Sequence, residues 1–336
     1  MKMNDIEDKI RETAKKLLEE GKVKYFIGYA KGSDSFRARP IIIDDPKDVD
    51  KLIWSPCCIN NLAVYLVDEM KKKPKKGEEP DKRPVGIIAK ACDARGITVL
   101  EQENILPRER VYIVGIPCTG MADPQKLEKL ANEKKIPHKV IYDMDIKEEE
   151  KVISCEAEGQ KETFSKEEVL LDKCKECTDH NPKGCDVIIG EEVENPPVDK
   201  YLTIRELEDM SLEDREKFWE KIFERCIRCY ACKEVCPLCY CEECTIEKAK
   251  PMRWSSKSVD KSNNAFFHLL RAMHLIGRCI DCGECERACP MGIPLRKLYR
   301  KLAKEAEELY GYEAGLSSEE VPLFATFKED DPDKFE

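Results

Sequence analysis

Two stretches decide the fold of the C-terminal part of this chain: CIRCYACKEVCP, residues 226–237, and CIDCGECERACP, residues 279–290. Each spaces its cysteines C-x2-C-x2-C-x3-C and follows the last with proline. The first run supplies Cys226, Cys229, Cys232, Cys236 and Pro237; the second supplies Cys279, Cys282, Cys285, Cys289 and Pro290. This is a [4Fe–4S] spacing. A compact loop lays three thiolates on three iron corners of a cube, and the proline turns the chain away at the fourth cysteine. Where two such runs occur together, the fourth cysteine of each ligates the other cube. The expectation is therefore crossed: Cys226, Cys229, Cys232 and Cys289 around one cluster, and Cys279, Cys282, Cys285 and Cys236 around the second. Zinc sites are commonly built from two C-x2-C pairs, without a third cysteine two residues on and a duplicated proline. No C-x-x-C-H occurs, so covalent haem is not indicated.

Composition narrows the class. The chain has 336 residues, with 19 cysteines against 4 histidines. At that length, and with MKMNDIEDKIRE at the N-terminus in place of an apolar leader core, a disulfide scaffold is not expected. Thiols at this density read as metal or cluster ligands in a reducing cytoplasm. Lys and Arg number 58 and Asp and Glu 68, a net charge of −10, so the basic face of a nucleic-acid binder is not expected. No apolar run approaches the roughly 18 residues of a membrane span. Hydrophobic residues make up 41% of the chain, enough for the cores of two domains.

The N-terminal part alternates strands and helices. Residues 4–20 form an amphipathic helix with Ile6, Ile10, Ala14 and Leu17 on one face and Gly21 as its stop. Tyr25–Tyr29 and Ile41–Ile43 read as strands, Asn60–Lys72 as a helix, and residues 71–84 as a charged loop. Then come strand Val85–Ala89, helix Arg95–Asn104, strand Val111–Ile116, helix Lys126–Lys134 and strand Lys139–Tyr142, with Val187–Ile189 closing the set. This alternation predicts an α/β domain with a mostly parallel sheet. Pro196 and Pro197 mark a linker. The predicted organisation is an α/β domain over 1–195, a mainly α-helical dicluster ferredoxin-type domain over 196–315, and an acidic tail over 316–336.

Between the two cysteine runs, residues 237–278 include FFHLLRAMHLIG, a helix with Phe266, Leu269, Leu270 and Met273 available for packing. His268 and His274 lie six residues apart on it, not on one face, and read as packing or surface residues. With CIRCYACKEVCP and CIDCGECERACPMGIPL on either side, residues 215–310 resemble the helical dicluster ferredoxin domain of succinate dehydrogenase iron–sulfur subunits and heterodisulfide reductase small subunits.

Eleven cysteines lie outside the two runs. Cys92 and Cys118 each follow a predicted strand, and open α/β sheets bind ligands beyond the carboxyl ends of their strands. Cys174 and Cys177 form a chelating pair, flanked by Cys155 and Cys185. As a catalytic thiol, Cys92 at a helix start is the best candidate, but no histidine base accompanies it. The order KACDARGITVL, VYIVGIPCTG, DKCKECTDHNPKGCDVIIGE resembles the coenzyme F420 hydrogenase/dehydrogenase beta-subunit family over residues 20–192. That resemblance implies a third [4Fe–4S] cluster beside a flavin, FAD, that exchanges hydride with a deazaflavin. Carried over by position, its ligands are Cys92, Cys118, Cys174 and Cys177; a local alternative is Cys155, Cys174, Cys177 and Cys185, and zinc is the alternative occupant. No G-x-G-x-x-G follows a strand, a fingerprint this family does not rely on. Cys239, Cys241 and Cys244 in PLCYCEEC are either spare thiols or part of a further site with Cys57 or Cys58.

These readings converge on an iron–sulfur electron-transfer subunit of a hydrogenase, formate dehydrogenase or heterodisulfide-reductase-type complex. The expected partners are redox proteins, including flavoprotein subunits, in a cytoplasmic hetero-oligomer. Two rivals remain: a flavin-containing oxidoreductase that oxidises reduced coenzyme F420 or NAD(P)H directly, and a zinc-stabilised interaction protein. No residue is singled out as catalytic.

Overall fold

Val85–Ala89 is buried along its whole length, as a strand covered on both faces must be. It is the centre of a five-stranded sheet. The computed structural model describes residues 3–72, 79, 81–137, 141, 144–149, 152–157, 160–247, 258–327, 329 and 331. The chain divides into two compact units: Met1–Leu62, Lys73–Ala94 and Pro107–Val198 form the first, and Ala63–Lys72, Arg95–Leu106 and Asp199–Glu336 the second.

In the first unit, strands β1 (Phe26–Lys31), β2 (Ala38–Ile43), β3 (Val85–Ala89), β4 (Val111–Gly115) and β8 (Val187–Ile188) lie in the order β2-β1-β3-β4-β8. Only the β1–β2 hairpin is antiparallel; the other three pairings are parallel. The sheet is therefore mostly parallel, as the alternating pattern predicted. Register aligns the strand ends. Val85 pairs with Val111 and Ala89 with Gly115, so β3 and β4 end side by side. Helix α1 (Met3–Glu19) buries Ile10, Ala14 and Leu17, the face read from the sequence. Helix α4 (Pro124–Glu133) is capped by Asp123, whose carboxylate accepts from the Gln125 amide at 2.8 Å, and buries Leu127 and Ala131.

Helix α3 (Ala91–Gln102) starts four residues earlier than Arg95. The cause is local: the Asp93 carboxylate accepts from the Lys90 amide at 2.9 Å and the Leu62 amide at 2.8 Å. This ties the first helical turn directly to the end of β3. Helix α2 (Val64–Lys71) is shorter than the expected Asn60–Lys72. Strands β5 (Asp145–Glu149), β6 (Val152–Ala157) and β7 (Gln160–Ser165) form an antiparallel sheet of their own, which the sequence reading did not anticipate. Its apolar side chains Ile146, Ile153, Cys155 and Phe164 share a core with Phe36, Leu127 and Val169. The strand expected at Lys139–Tyr142 falls largely outside the described residues.

The second unit is helical: it takes α2 and all but the first turn of α3, and adds α5 (Leu202–Glu208), α6 (Leu212–Glu224), α7 (Lys261–His274) and α8 (Leu295–Tyr310), plus one helical turn inside each cysteine run, Ala231–Glu234 and Glu284–Arg287. Asp260 caps α7 by accepting from the Asn263 amide, and Gly311 ends α8 with φ 62° in the left-handed region. The packing face of α7 differs from the one expected. Phe266, Leu269 and Met273 are exposed, and Asn264, Phe267, His268, Arg271 and Ala272 are buried. Among the described residues no helix is long and apolar enough to cross a membrane.

Close packing along β3 leaves no room for an added methyl at Gly86, where a Cβ would stand 2.5 Å from the Phe26 ring. Gly86→Ala is expected to destabilise the chain by about 1–3 kcal/mol. Ile42→Ala, at a side chain 51% exposed, should stay within about 0.5 kcal/mol. Urea midpoints of the two variants check this.

Candidate metal centres

Both cysteine runs fold on the same backbone device. In the first, Arg228 and Tyr230 have φ of 54° and 62°; in the second, Asp281 and Gly283 have 56° and 69°. Two left-handed residues, two positions apart, curl each loop so that its first three cysteines face one side. Non-glycine residues resist this conformation, and side-chain anchors offset the cost. The Arg228 guanidinium lies 4.9 Å from the Phe267 ring centroid and donates to the Asn263 carbonyl at 3.0 Å. The Asp281 carboxylate takes two bonds from Arg296, at 2.6 and 2.9 Å, with Arg300 at 3.2 Å.

Cys226, Cys229 and Cys232 line one cavity together with Cys289 from the other run. These are the four residues of the crossed set. The loop amides turn inward: Arg228 N–H lies 3.4 Å from Cys226 Sγ, and Ile293 N–H 3.5 Å from Cys289 Sγ. Burial pushes the Cys232 thiol up to about 11, while Cys229 is exposed. His268 also lines this cavity, with Nε2 3.3 Å from Cys226 Sγ and its ring stacked on Phe223 at 5.7 Å. Burial and then the nearby Arg271 and Arg228 lower its pKa to about 4, so the ring is neutral. Its Nδ1 is buried without a hydrogen-bond partner, so its one proton has a partner only at Nε2, facing sulfur. The sequence reading had made His268 a packing or surface residue. His274, exposed, is a surface residue.

In the second set, Cys279 and Cys285 lie close enough to act on each other electrostatically, and Cys282 is buried next to Arg287. Cys236 shares its surroundings with Cys285: both act electrostatically on Arg271 and on Tyr299. The Cys239 thiol is in hydrogen-bond contact with Cys236 and with Arg271. Cys241 is exposed and Cys244 partly so.

In the first unit the ends of β3 and β4 deliver Cys92, in the first turn of α3, and Cys118, three residues past β4. Cys174, on the single turn Asp172–Lys175, and Cys177 complete a neighbourhood. Cys118 acts on Cys92 and Cys174, and Cys177 on both of those. The Gly120 amide points at Cys118 Sγ and the Met121 amide at Cys174 Sγ, each at 3.4 Å. Burial raises the Cys92 and Cys118 thiols and takes Cys177 to about 11. Partly buried, unbridged thiols packed together fit a metal cluster, which would hold them as thiolates. The two flanking cysteines of the alternative set have other surroundings. Cys155 sits in the apolar core with Cys57, and Cys185 beside Gly115, Asp186 and Arg108. Cys58 is buried next to Ser55. Among the described residues no three His, Cys, Asp or Glu side chains converge on a single ion.

Two residues next to this neighbourhood escaped the sequence reading. Lys90 is 1% exposed. Its Nζ bonds Asp93 at 2.8 Å, the Asn60 carbonyl at 2.9 Å and the Tyr29 hydroxyl. Burial opposes its charge, but Asp93 and then Cys92 and Cys118 outweigh burial and raise its pKa. His180, three residues after Cys177, has both ring nitrogens buried without a hydrogen-bond partner, and its carbonyl accepts from the Cys118 amide at 2.9 Å.

A crossed pair of cysteine loops on a helical unit and a thiol neighbourhood at the strand ends of an α/β unit define an iron–sulfur protein of composite build. Residues 82–210 match the family model for the C terminus of the coenzyme F420 hydrogenase/dehydrogenase beta subunit, and residues 222–293 match the 4Fe–4S dicluster domain. Over these two segments the resemblance read from the motifs is borne out. It is 25% identical to the F420-dependent formate dehydrogenase subunit beta of Methanocaldococcus jannaschii, covering 92% of each chain. It is 24% identical to the F420-dependent formate dehydrogenase 1 subunit beta of Methanococcus maripaludis, covering 92% of this chain and 90% of the relative. A chain of the F420-reducing [NiFe] hydrogenase complex from Methanosarcina barkeri, solved as a xenon derivative, superposes with a TM-score of 0.40 at 17% identity, over 53% of this chain and 63% of that one.

The Lys90–Asp93 pair carries its own test. Lys90→Met leaves the Asp93 carboxylate, 0% exposed, without its cation, and should cost about 3–5 kcal/mol. The double variant Lys90→Met/Asp93→Asn should regain part of that loss. Anaerobic urea unfolding of wild type and both variants gives the comparison.

Proposed function

We propose that this chain is an iron–sulfur electron-transfer subunit of a coenzyme F420 hydrogenase or formate dehydrogenase-type complex, cytoplasmic and assembled with other redox subunits. One observation carries the reading: Cys226, Cys229, Cys232 and Cys289, drawn from two runs far apart in sequence, line a single cavity. The dicluster match over residues 222–293 and the two formate dehydrogenase relatives support it. When bound, a [4Fe–4S] cluster accepts and passes on one electron at a potential set by burial, charge and hydrogen bonds to sulfur. The chain's own residues provide those settings. His268 Nε2 and the Arg228 and Ile293 amides direct N–H groups at ligand sulfur, which favours the reduced state. Cys229, exposed, brings the edge of the first site to the surface, where a partner can exchange electrons.

The finer proposal is a third cluster in the first unit on Cys92, Cys118, Cys174 and Cys177, with FAD in the same unit on the strength of the family alone. Iron, acid-labile sulfide, zinc and flavin per polypeptide, measured on one anaerobic preparation, test all of it. About 12 irons with matching sulfide are expected. About 8 would confine the clusters to the second unit, and zinc with almost no sulfide would overturn the electron-transfer reading.

Substitutions separate the sets of ligands. Cys289→Ala and Cys226→Ala should remove the same electron paramagnetic resonance signal, and Cys236→Ala and Cys279→Ala the other. Cys174→Ala should lose about 4 irons that Cys155→Ala and Cys185→Ala retain. A loss on Cys185→Ala equal to that on Cys174→Ala would return the alternative set.

A further inference from the structure

Arg271 is a buried cation with no carboxylate partner among the described residues. On the inward face of α7 it is 3% exposed. Nη2 donates to the Cys232 carbonyl at 3.0 Å, Nη1 donates to the Tyr299 hydroxyl, and the guanidinium lies 4.8 Å from the Tyr299 ring centroid. Nε is buried with no hydrogen-bond partner. A guanidinium removed from water costs several kcal/mol unless an opposite charge compensates it. Among the described residues no Asp or Glu pairs with it; its charged surroundings are thiols. It contacts Cys239 and acts electrostatically on Cys232, Cys236, Cys279 and Cys285. The last four come from both crossed sets.

We propose that Arg271 is the counter-charge shared by the two clusters of the second unit, and that it raises both reduction potentials. The inference rests on the two-cluster reading above. Four thiolates around a [4Fe–4S] core carry net negative charge, and reduction adds one more. A fixed cation in a low-dielectric site therefore favours the reduced state of each cluster. Sharing one cation also links the clusters, because an electron on either one uses the same attraction. The unpartnered Nε leaves one donor of the guanidinium available to sulfur. Arg271 acts here through charge and position and takes no part in bond making.

The test is a redox titration of the full-length chain followed by electron paramagnetic resonance, on wild type, Arg271→Gln and Arg271→Lys, with iron and sulfide measured on each. The two signals are assigned by their loss in Cys229→Ala and Cys282→Ala. In Arg271→Gln both midpoints should fall by at least a tenfold change in the reduction equilibrium, about 59 mV for one electron. Arg271→Lys keeps the charge and should stay within about twofold of wild type, or about 18 mV by the same constant. Unmoved midpoints in a fully loaded Arg271→Gln would overturn the proposal, as would a tenfold fall in Arg271→Lys. If Arg271→Gln does not hold iron, Arg271→Met takes its place, with the same fall expected and unmoved midpoints overturning the proposal. Wild-type chain without the two signals would instead sink the two-cluster reading itself.

Discussion

One polar helix face holds the second unit together. Asn264 on α7 donates to the carbonyls of Phe223 and Cys226 at 3.0 and 2.8 Å, His268 meets Cys226 sulfur, and Arg271 reaches the Cys232 carbonyl. These residues sit one helical turn apart, so a single buried stripe fixes the first cysteine loop from its entry to its third cysteine. A loop with two left-handed residues has no ladder of its own to satisfy its carbonyls, and α7 supplies the donors. The exposed Phe266, Leu269 and Met273 are a direct consequence, since the helix cannot turn both stripes inward.

The first unit solves the same problem differently. Its thiols hang from the ends of two parallel strands whose register makes them neighbours, and the loop amides of Gly120 and Met121 face the sulfurs. Each unit also buries a cation beside its thiols. Lys90 has the Asp93 carboxylate as partner, and that pair doubles as the fastener between β3 and α3. Arg271 has, among the described residues, an aromatic hydroxyl, a carbonyl and thiols. The difference is physical: charge offset by a fixed carboxylate serves the fold, whereas charge left to thiolates follows what those thiolates bind.

Much of this was legible without coordinates. The alternation around Val85–Ala89 and Val111–Gly115 is strong because both strands are buried on both faces and read as continuous apolar runs. The β5–β7 sheet was not legible: charged Lys147, Glu148, Glu156, Lys161 and Glu162 run through its strands, and only Ile146, Ile153, Cys155 and Phe164 signal a buried face. The face of α7 was misjudged for a related reason. Periodicity ranks Phe, Leu and Met as the packing set, but Asn264, His268 and Arg271 are drawn inward by carbonyls and sulfur supplied from another part of the chain.

What the sequence determined by itself is local: the two cysteine loops, whose spacing is a property of a dozen consecutive residues, and the strand and helix alternation of the first unit. Tertiary structure decided which distant groups meet. It brought Cys289 to the cavity of Cys226, gathered Cys92 and Cys118 with Cys174 and Cys177 while sending Cys155 into an apolar core, and buried Lys90 and Arg271 among thiols. Spacing along the chain reports only on neighbours a few residues away. Burial and charge depend on what the rest of the fold places across the gap.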